Sequence, residues 1–422
     1  MKMKKMLALT MAVTVTIATV GCGSNSSKVG TAEDNTSSDA KVLTFLTADD
    51  SAEGGALQMM ANKYGEEKGV EIKFTEVPYD DMETKMLNMI KAGNAPGVVR
   101  YAGYANFVDY TLDLADVGVS ADDMYLTTEV DGSIKALAAN VTANGLFINK
   151  TLFDQAGVSY PTSEDDIWTW DEFNTALQEV VSNSDAEYGM VMDHSQQRFA
   201  TMLYQYGGGI FSEDLTQCTI KNAANVTATN KFLEMFENGL MPKSTWAGTE
   251  DPSAMFKTGK VAAHFSGNWK LSDYSENITD FEWLPVYMPY ETQRATMFGG
   301  NYIYALDGSG CEELSVDFLK WFYQPENYAE YCKAGSYLPG RSGVEVEYDV
   351  EGLDVFNAEL AASPSSVKTY EAVGIKYPGV TWGNVLRDSL DEAIAGGKTT
   401  EEVLQDTQDT ILETYPEMTA AE

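Results

Sequence analysis

The order of hydrophobic periods between residues 41 and 100 constrains the fold more than any other feature of the chain. Lys41-Val-Leu-Thr-Phe-Leu-Thr predicts a strand, closed by the turn Ala48-Asp-Asp-Ser. A helical stretch from Gly54 to Lys68 stops at Gly69. Val70-Glu-Ile-Lys-Phe-Thr-Glu-Val then alternates apolar and polar residues, the period of a second strand. A helix follows Pro78-Tyr-Asp-Asp, with Met82, Met86, Met89 and Ile90 at helical spacing, and these methionines read as core filler. Gly93-Asn-Ala-Pro-Gly ends it, and Val98-Val99 starts a further short strand. Strand, helix, strand, helix predicts parallel α/β layers.

Further along, Thr169-Trp-Asp-Glu is a capping box that opens a helix over Glu172 to Val181. Thr399-Thr-Glu-Glu repeats the device before Val403 to Leu412. No internal repeat of fixed period is visible. Residues 41–422 exceed what one compact core usually holds, so two lobes are expected.

The N-terminus has a different character. Lys2, Lys4 and Lys5 precede an uncharged, mostly apolar run from Met6 to Val20. That run is shorter than the roughly 20 residues needed to span a hydrocarbon core, and it fits a secretory signal over residues 1–21. Val20-Gly21-Cys22 resembles the lipobox of bacterial lipoproteins, with Thr19 where an aliphatic residue is usual. The resemblance implies that Cys22 is lipidated and becomes the mature N-terminus. Two acyl chains hold a membrane where one holds it only marginally. Ser24 to Ala40 is small, polar and without periodicity, so residues 22–40 read as a flexible tether.

Charge and motifs narrow the function classes. The chain carries 64 Asp+Glu against 28 Lys+Arg and has no cationic cluster outside the signal, which argues against a nucleic-acid partner. With only His194 and His264 and no C-x-x-C, no zinc constellation is present, and no metal or cofactor is expected. Spacing does not decide whether Cys311 and Cys332 pair. Gly396-Gly-Lys-Thr lacks the earlier glycine of a P-loop, and Gly207-Gly-Gly-Ile reads as a loop. Acids are too abundant for spacing to single out the carboxylate pair of a glycosidase.

Four stretches together resemble the family 1 extracellular solute-binding proteins, the substrate receptors of carbohydrate ABC importers. They are Val77-Pro-Tyr-Asp-Asp-Met-Glu-Thr-Lys-Met-Leu through Gly93-Asn-Ala-Pro-Gly-Val-Val; Asn144-Gly-Leu-Phe-Ile-Asn-Lys-Thr-Leu-Phe-Asp-Gln-Ala-Gly-Val with Pro161 and Thr169-Trp-Asp-Glu-Phe; Met255-Phe-Lys-Thr-Gly-Lys-Val-Ala-Ala-His-Phe-Ser-Gly-Asn-Trp; and Phe298-Gly-Gly-Asn with Phe318-Leu-Lys-Trp-Phe and Leu338-Pro-Gly-Arg. Gly97 stands where the family usually has Asp, and Ile148 where it has an aromatic residue. The resemblance implies a periplasmic-binding-protein-like α/β fold, with two lobes joined by a multi-segment hinge and a ligand cleft between them. It implies crossings near Asn140, Pro285 and Glu330, with residues 41–139 and 286–330 in one lobe and 140–285 and 331–422 in the other. The implied partners are a carbohydrate, ABC permease subunits and, through the lipid anchor, the extracellular face of the cell membrane.

A sugar needs planar donor–acceptor groups and aromatic plates. Trp269, after Ser266-Gly-Asn, resembles the family's stacking tryptophan, and Trp382 is a second candidate plate. Gly300, Asn301 and Tyr302 offer close backbone approach and a bidentate amide. Asp49 or Asp50 can accept hydroxyls or serve as a helix N-cap. Tyr101 and Tyr104 follow a strand where a family contact lies, and Arg341 suits a hydroxyl, an anion or a plain salt bridge. Asn144 reads more as a turn residue, Trp168 and Trp170 as structural, and Trp246, in a loop before Asp251-Pro, as a further residue within reach of the cleft. The rival readings are a binding protein for a peptide, polyamine or sugar phosphate, a secreted glycoside hydrolase, and a surface adhesion or scaffold lipoprotein.

Overall fold

The computed structural model describes residues 41–48, 51–78, 81–130, 132–348, 350–377 and 382–421. The signal, Cys22, the tether, Asp49 and Asp50 lie outside the described residues.

The strands are β1 (Val42–Ala48), β2 (Glu71–Val77), β3 (Val98–Tyr101), β4 (Thr127–Val130), β5 (Ser133–Asn149), β6 (Tyr188–Met192), β7 (Gln217–Cys218), β8 (Val261–Gly267), β9 (Trp283–Val286), β10 (Phe298–Ala305) and β11 (Thr419–Ala420). Nine of them are linked by strand pairing in the order β2-β1-β3-β10-β5-β8-β6, with β4 and β9 also paired to β5, and the path falls into two sheets that meet at β5. β1 runs parallel to β2 and β3, the arrangement expected from the helices that separate them in sequence. β10 is antiparallel to both β3 and β5. β7 and β11 make a small parallel pair of their own.

β5 organises the molecule. Its first part, Leu137 to Ala143, pairs with β10, and its last part, Asn144 to Asn149, pairs with β8 and β9. From Ala136 to Asn149 every residue is buried except Thr142, as befits a strand covered on both faces. One strand therefore belongs to two sheets, and its partners change between Ala143 and Asn144. Pro285 lies within β9, opposite Phe147. Glu330 lies in the helix Pro325–Gly335, which packs on the helix Ser51–Lys68 and is tied to it by the Lys63–Glu330 pair at 2.5 Å. Leu338 returns to bridge Val141.

Each side of β5 has its own aromatic core. On one side Phe45 stacks on Phe74 with ring centroids 4.7 Å apart and meets Phe318 edge-on. On the other, Phe147 packs against Tyr274, Trp283 and Phe356. Both capping boxes form: Thr169 with Glu172 opens Trp170–Asn183, and Thr399 with Glu402 opens Thr400–Thr414. Met82 and Met86 are buried in the helix Met82–Lys91, as core filler should be.

Two departures from the family pattern have local explanations. A side chain on Gly97 would place its Cβ 2.5 Å from Cys311 Sγ and 2.7 Å from Ser315 Oγ. The space an aspartate would need is thus filled by the start of the helix Glu312–Phe322. Ile148 is fully buried between Ala263 and Leu284, where a branched aliphatic fills the pleat. Cys218, Cys311 and Cys332 are all buried free thiols.

Candidate ligand cleft

A cleft of about 610 Å³ opens where β5 changes partners. Thr142, the one half-buried residue in that part of the strand, faces it, and β10 supplies Gly299, Gly300, Asn301 and Tyr302. The register of β10 against β5 slips between Asn301 and Tyr302, and this bulge re-aims the chain at the cleft. Gly300 is needed by the scaffold, because a Cβ there would lie 2.3 Å from the Asn140 carbonyl oxygen. At Gly299 a Cβ would point into the corner of the cleft, pressed to 3.2 Å from Gln197 Nε2 and 3.6 Å from Glu371 Oε1.

The facing wall is built from side chains. Ser195 caps the helix Gln196–Gln205 and so sets the orientation of its first turn. That turn presents Gln197 and Arg198. The buried Arg198 guanidinium reaches Asp193 Oδ2 through Nη2 at 2.9 Å and donates through Nη1 to Ser195 Oγ at 3.0 Å. Its Cζ sits 5.0 Å from the ring centroid of Trp269, a cation–π geometry. Burial pulls the guanidinium pKa down, and the Asp193 charge opposes this. Its Nε is sealed from solvent without a hydrogen-bond partner among the described residues. Trp269 itself is half-buried and packs its six-membered ring over Gly267, where any Cβ would fall 2.0 Å from Cζ3.

Glu371, on the helix Lys368–Lys376, completes the wall. It accepts a 3.1 Å hydrogen bond from Gln197 Nε2. Burial pushes its carboxyl pKa up to about 7, against the pull of the Gln197 amide. It pairs with no cation among the described residues.

The structure brings together Trp269, Gly300, Asn301 and Tyr302 from the sequence candidates. Tyr101 is buried beside them in β3, opposite Tyr302. Tyr104 begins the short helix Tyr104–Tyr110. Trp382 lies behind the cleft wall, buried edge-on against Phe211 and Tyr370. Arg341 is elsewhere: it donates to the Tyr323 carbonyl at 2.8 Å and borders a separate cavity of about 330 Å³ with Tyr125 and Tyr348. Trp246 is core, packed on Phe232 and bonded through its indole N–H to Asp391. Asn144 is buried, donating to Thr201 Oγ1. Trp170 donates to Gln205 from the core, and Trp168 stacks on Phe153. The residues that sequence reasoning missed are Thr142, Gln197, Arg198 and Glu371. Only Arg198 carried a signal, as one of the few arginines in an acidic chain.

Among the described residues no cluster of His, Cys, Asp and Glu could hold a metal ion, and no helix is long and apolar enough to cross a membrane. His264 is buried and hydrogen-bonded to the Tyr274 hydroxyl, with burial pulling its pKa down. His194 meets Asp391 at 2.8 Å, away from the cleft.

Two α/β sheets sharing a central strand, with a polar cleft where the strand changes partners, define a periplasmic-binding-protein-like fold of two lobes. The GacH receptor of Streptomyces glaucescens, solved unliganded and in complex with acarbose, has this fold. It superposes with a TM-score of 0.73 at 21% identity, covering 90% of this chain and 100% of that one. An ABC substrate-binding protein from Listeria monocytogenes in complex with cycloalternan gives 0.69 at 22% identity, covering 90% of this chain and all of that one. The arabinooligosaccharide-binding protein of Bacillus subtilis is 23% identical over 342 residues, 75% of this chain and 76% of that protein. The family described as bacterial extracellular solute-binding protein matches residues 59–352. The chain belongs to that family, whose members are substrate-binding proteins rather than enzymes.

Proposed function

We propose that the chain is the receptor of an ABC importer, that it captures a sugar or oligosaccharide in the cleft at Trp269, and that it does so without chemistry. The observation that carries this reading is the half-buried Trp269 indole set beside Thr142, Gln197, Asn301 and Glu371. A sugar offers weakly apolar C–H faces to such a plate and hydroxyls to such planar groups. The ligands named for the similar proteins, acarbose, cycloalternan and arabinooligosaccharides, are of this chemistry. Capture rather than hydrolysis is supported by the lining. Among the described residues Glu371 is the one carboxylate that faces the cleft, and glycoside hydrolysis uses two, about 5–10 Å apart.

Ligand closes the two lobes, and the closed form is what the permease recognises. We place the hinge at the change of partners in β5, at the entry to β10 near residue 298 and after Leu338. The first lobe is then residues 41–143 and 298–338, and the second 144–297 and 339–421. Lipidation of Cys22 would hold this body at the outer face of the membrane; fatty-acid labelling that disappears in Cys22→Ala is the expected result.

Calorimetric titration of the body with a panel of mono- and oligosaccharides tests the reading. At least one saccharide gives heat and a thermal shift, and Gly299→Val, which drives a side chain into the Gln197–Glu371 corner, abolishes both. A silent panel contradicts it.

A further inference from the structure

The cleft wall carries two kinds of charge, and they are not in the same condition. Arg198 is spent: Asp193 neutralises one end of the guanidinium, Ser195 occupies another nitrogen, Trp269 covers a face, and Nε is sealed from solvent. Glu371 is not. Among the described residues its one hydrogen bond comes from the neutral Gln197 amide, and it has no ion-pair partner. Gln197 donates to it from the helix Gln196–Gln205, and Arg198 of the same turn lines the cleft with it, already compensated. Gly299 of β10 and Thr142 of β5 line the same corner of the cleft, neither charged. On its own helix Lys368 is exposed to solvent, Lys376 lies over Tyr377, and Tyr370 is next to it.

We propose that Glu371 makes the cleft selective against anionic saccharides: sugars that offer only hydroxyls or an amine are accepted, and uronates and sugar phosphates are turned away. The proposal rests on the reading of the cleft as a sugar site. A half-buried carboxylate without a counter-ion gains from hydroxyl or ammonium donors and repels a second carboxylate a few ångströms off. The repulsion is worth about tenfold or more in affinity at the effective dielectric of a partly buried site. It is present when Glu371 is ionised, above pH 7, and fades as the pH falls through 7, because burial has raised the carboxyl to about that value.

The test titrates wild type with neutral gluco- and galacto-oligosaccharides and with the glucuronate and galacturonate oligomers of the same length. At pH 8 a neutral member binds at least about tenfold more tightly than its uronate counterpart, the gap narrows at pH 5.5, and Glu371→Gln closes it at both pH values. A uronate that binds wild type at pH 8 as well as its neutral counterpart overturns the proposal, as does discrimination that survives in Glu371→Gln. The pH series on wild type decides the matter if the variant fails to fold. No binding by either kind of oligosaccharide removes the sugar reading itself, an outcome distinct from loss of discrimination.

Discussion

Trp269 and Trp382 stand in similar settings, Trp269 as the cap of the helix Lys270–Asn277 and Trp382 as the first residue of the helix Trp382–Ile394, and each is a reasonable plate for a sugar. The structure treats them differently. Trp269 is half-buried, held by Gly267 beneath it and Arg198 beside it, and keeps an edge in the cleft. Trp382 is 3% exposed, clamped by Phe211 and Tyr370. One ring is available and the other is consumed by packing. Backbone and small residues around a tryptophan decide this, since a glycine at 267 lets the indole lie against the strand end rather than in the core.

The comparison can be broken by substitution. The largest effect belongs to the consumed ring: Trp382→Ala is expected to cost about 3–5 kcal/mol of unfolding free energy in urea denaturation. Its effect on ligand affinity should follow only from lost folded protein. Trp269→Ala should do the reverse, weakening the best saccharide about 30-fold, the 2 kcal/mol scale of a binding hot spot, with the unfolding midpoint little changed. If the two variants behaved alike, the contrast between the rings would be wrong.

Glu371 sharpens the same contrast with a pH signature. Its carboxyl is raised to about 7 in the folded protein from 4.5, so the native state holds the proton more tightly than the unfolded chain. Stability from this group therefore falls as pH rises from 4.5 through 7, and the whole cost is present above that window. Glu371→Gln should gain about 2 kcal/mol at pH 8, after discounting its partial exposure, and nothing at pH 4. The smallest effect is expected at Arg341, outside the cleft. Arg341→Ala should lose about 1 kcal/mol with its hydrogen bond to Tyr323 and leave saccharide affinity unchanged.

Much of this fold could be read from residue order. The apolar periods of residues 41–101 appear as β1, β2 and β3 with their intervening helices, and both capping boxes sit where Thr and Glu are three apart. These signals are local, so a linear reading captures them. The cleft is different, because its walls come from β5, β10, a loop after β8 and two helices far apart in sequence. Trp269 and Asn301 could be picked out through the motifs that surround them. Glu371 could not, being one acid among 64 with nothing local to mark its burial. Trp382 and Arg341 show the converse: residue type suited a site, and long-range packing assigned them to scaffold. The passage of β5 through two sheets was likewise invisible, since an unbroken buried strand carries no mark at the point where its partners change.

A structure of the protein crystallised with its tightest-binding saccharide tests the central claim most directly. The account predicts a sugar ring against Trp269, with hydroxyls on Asn301 and Glu371 and the two halves of β5 drawn together about Thr142. Saccharide density away from Trp269, in the cavity beside Arg341 or on the outer surface, would contradict it.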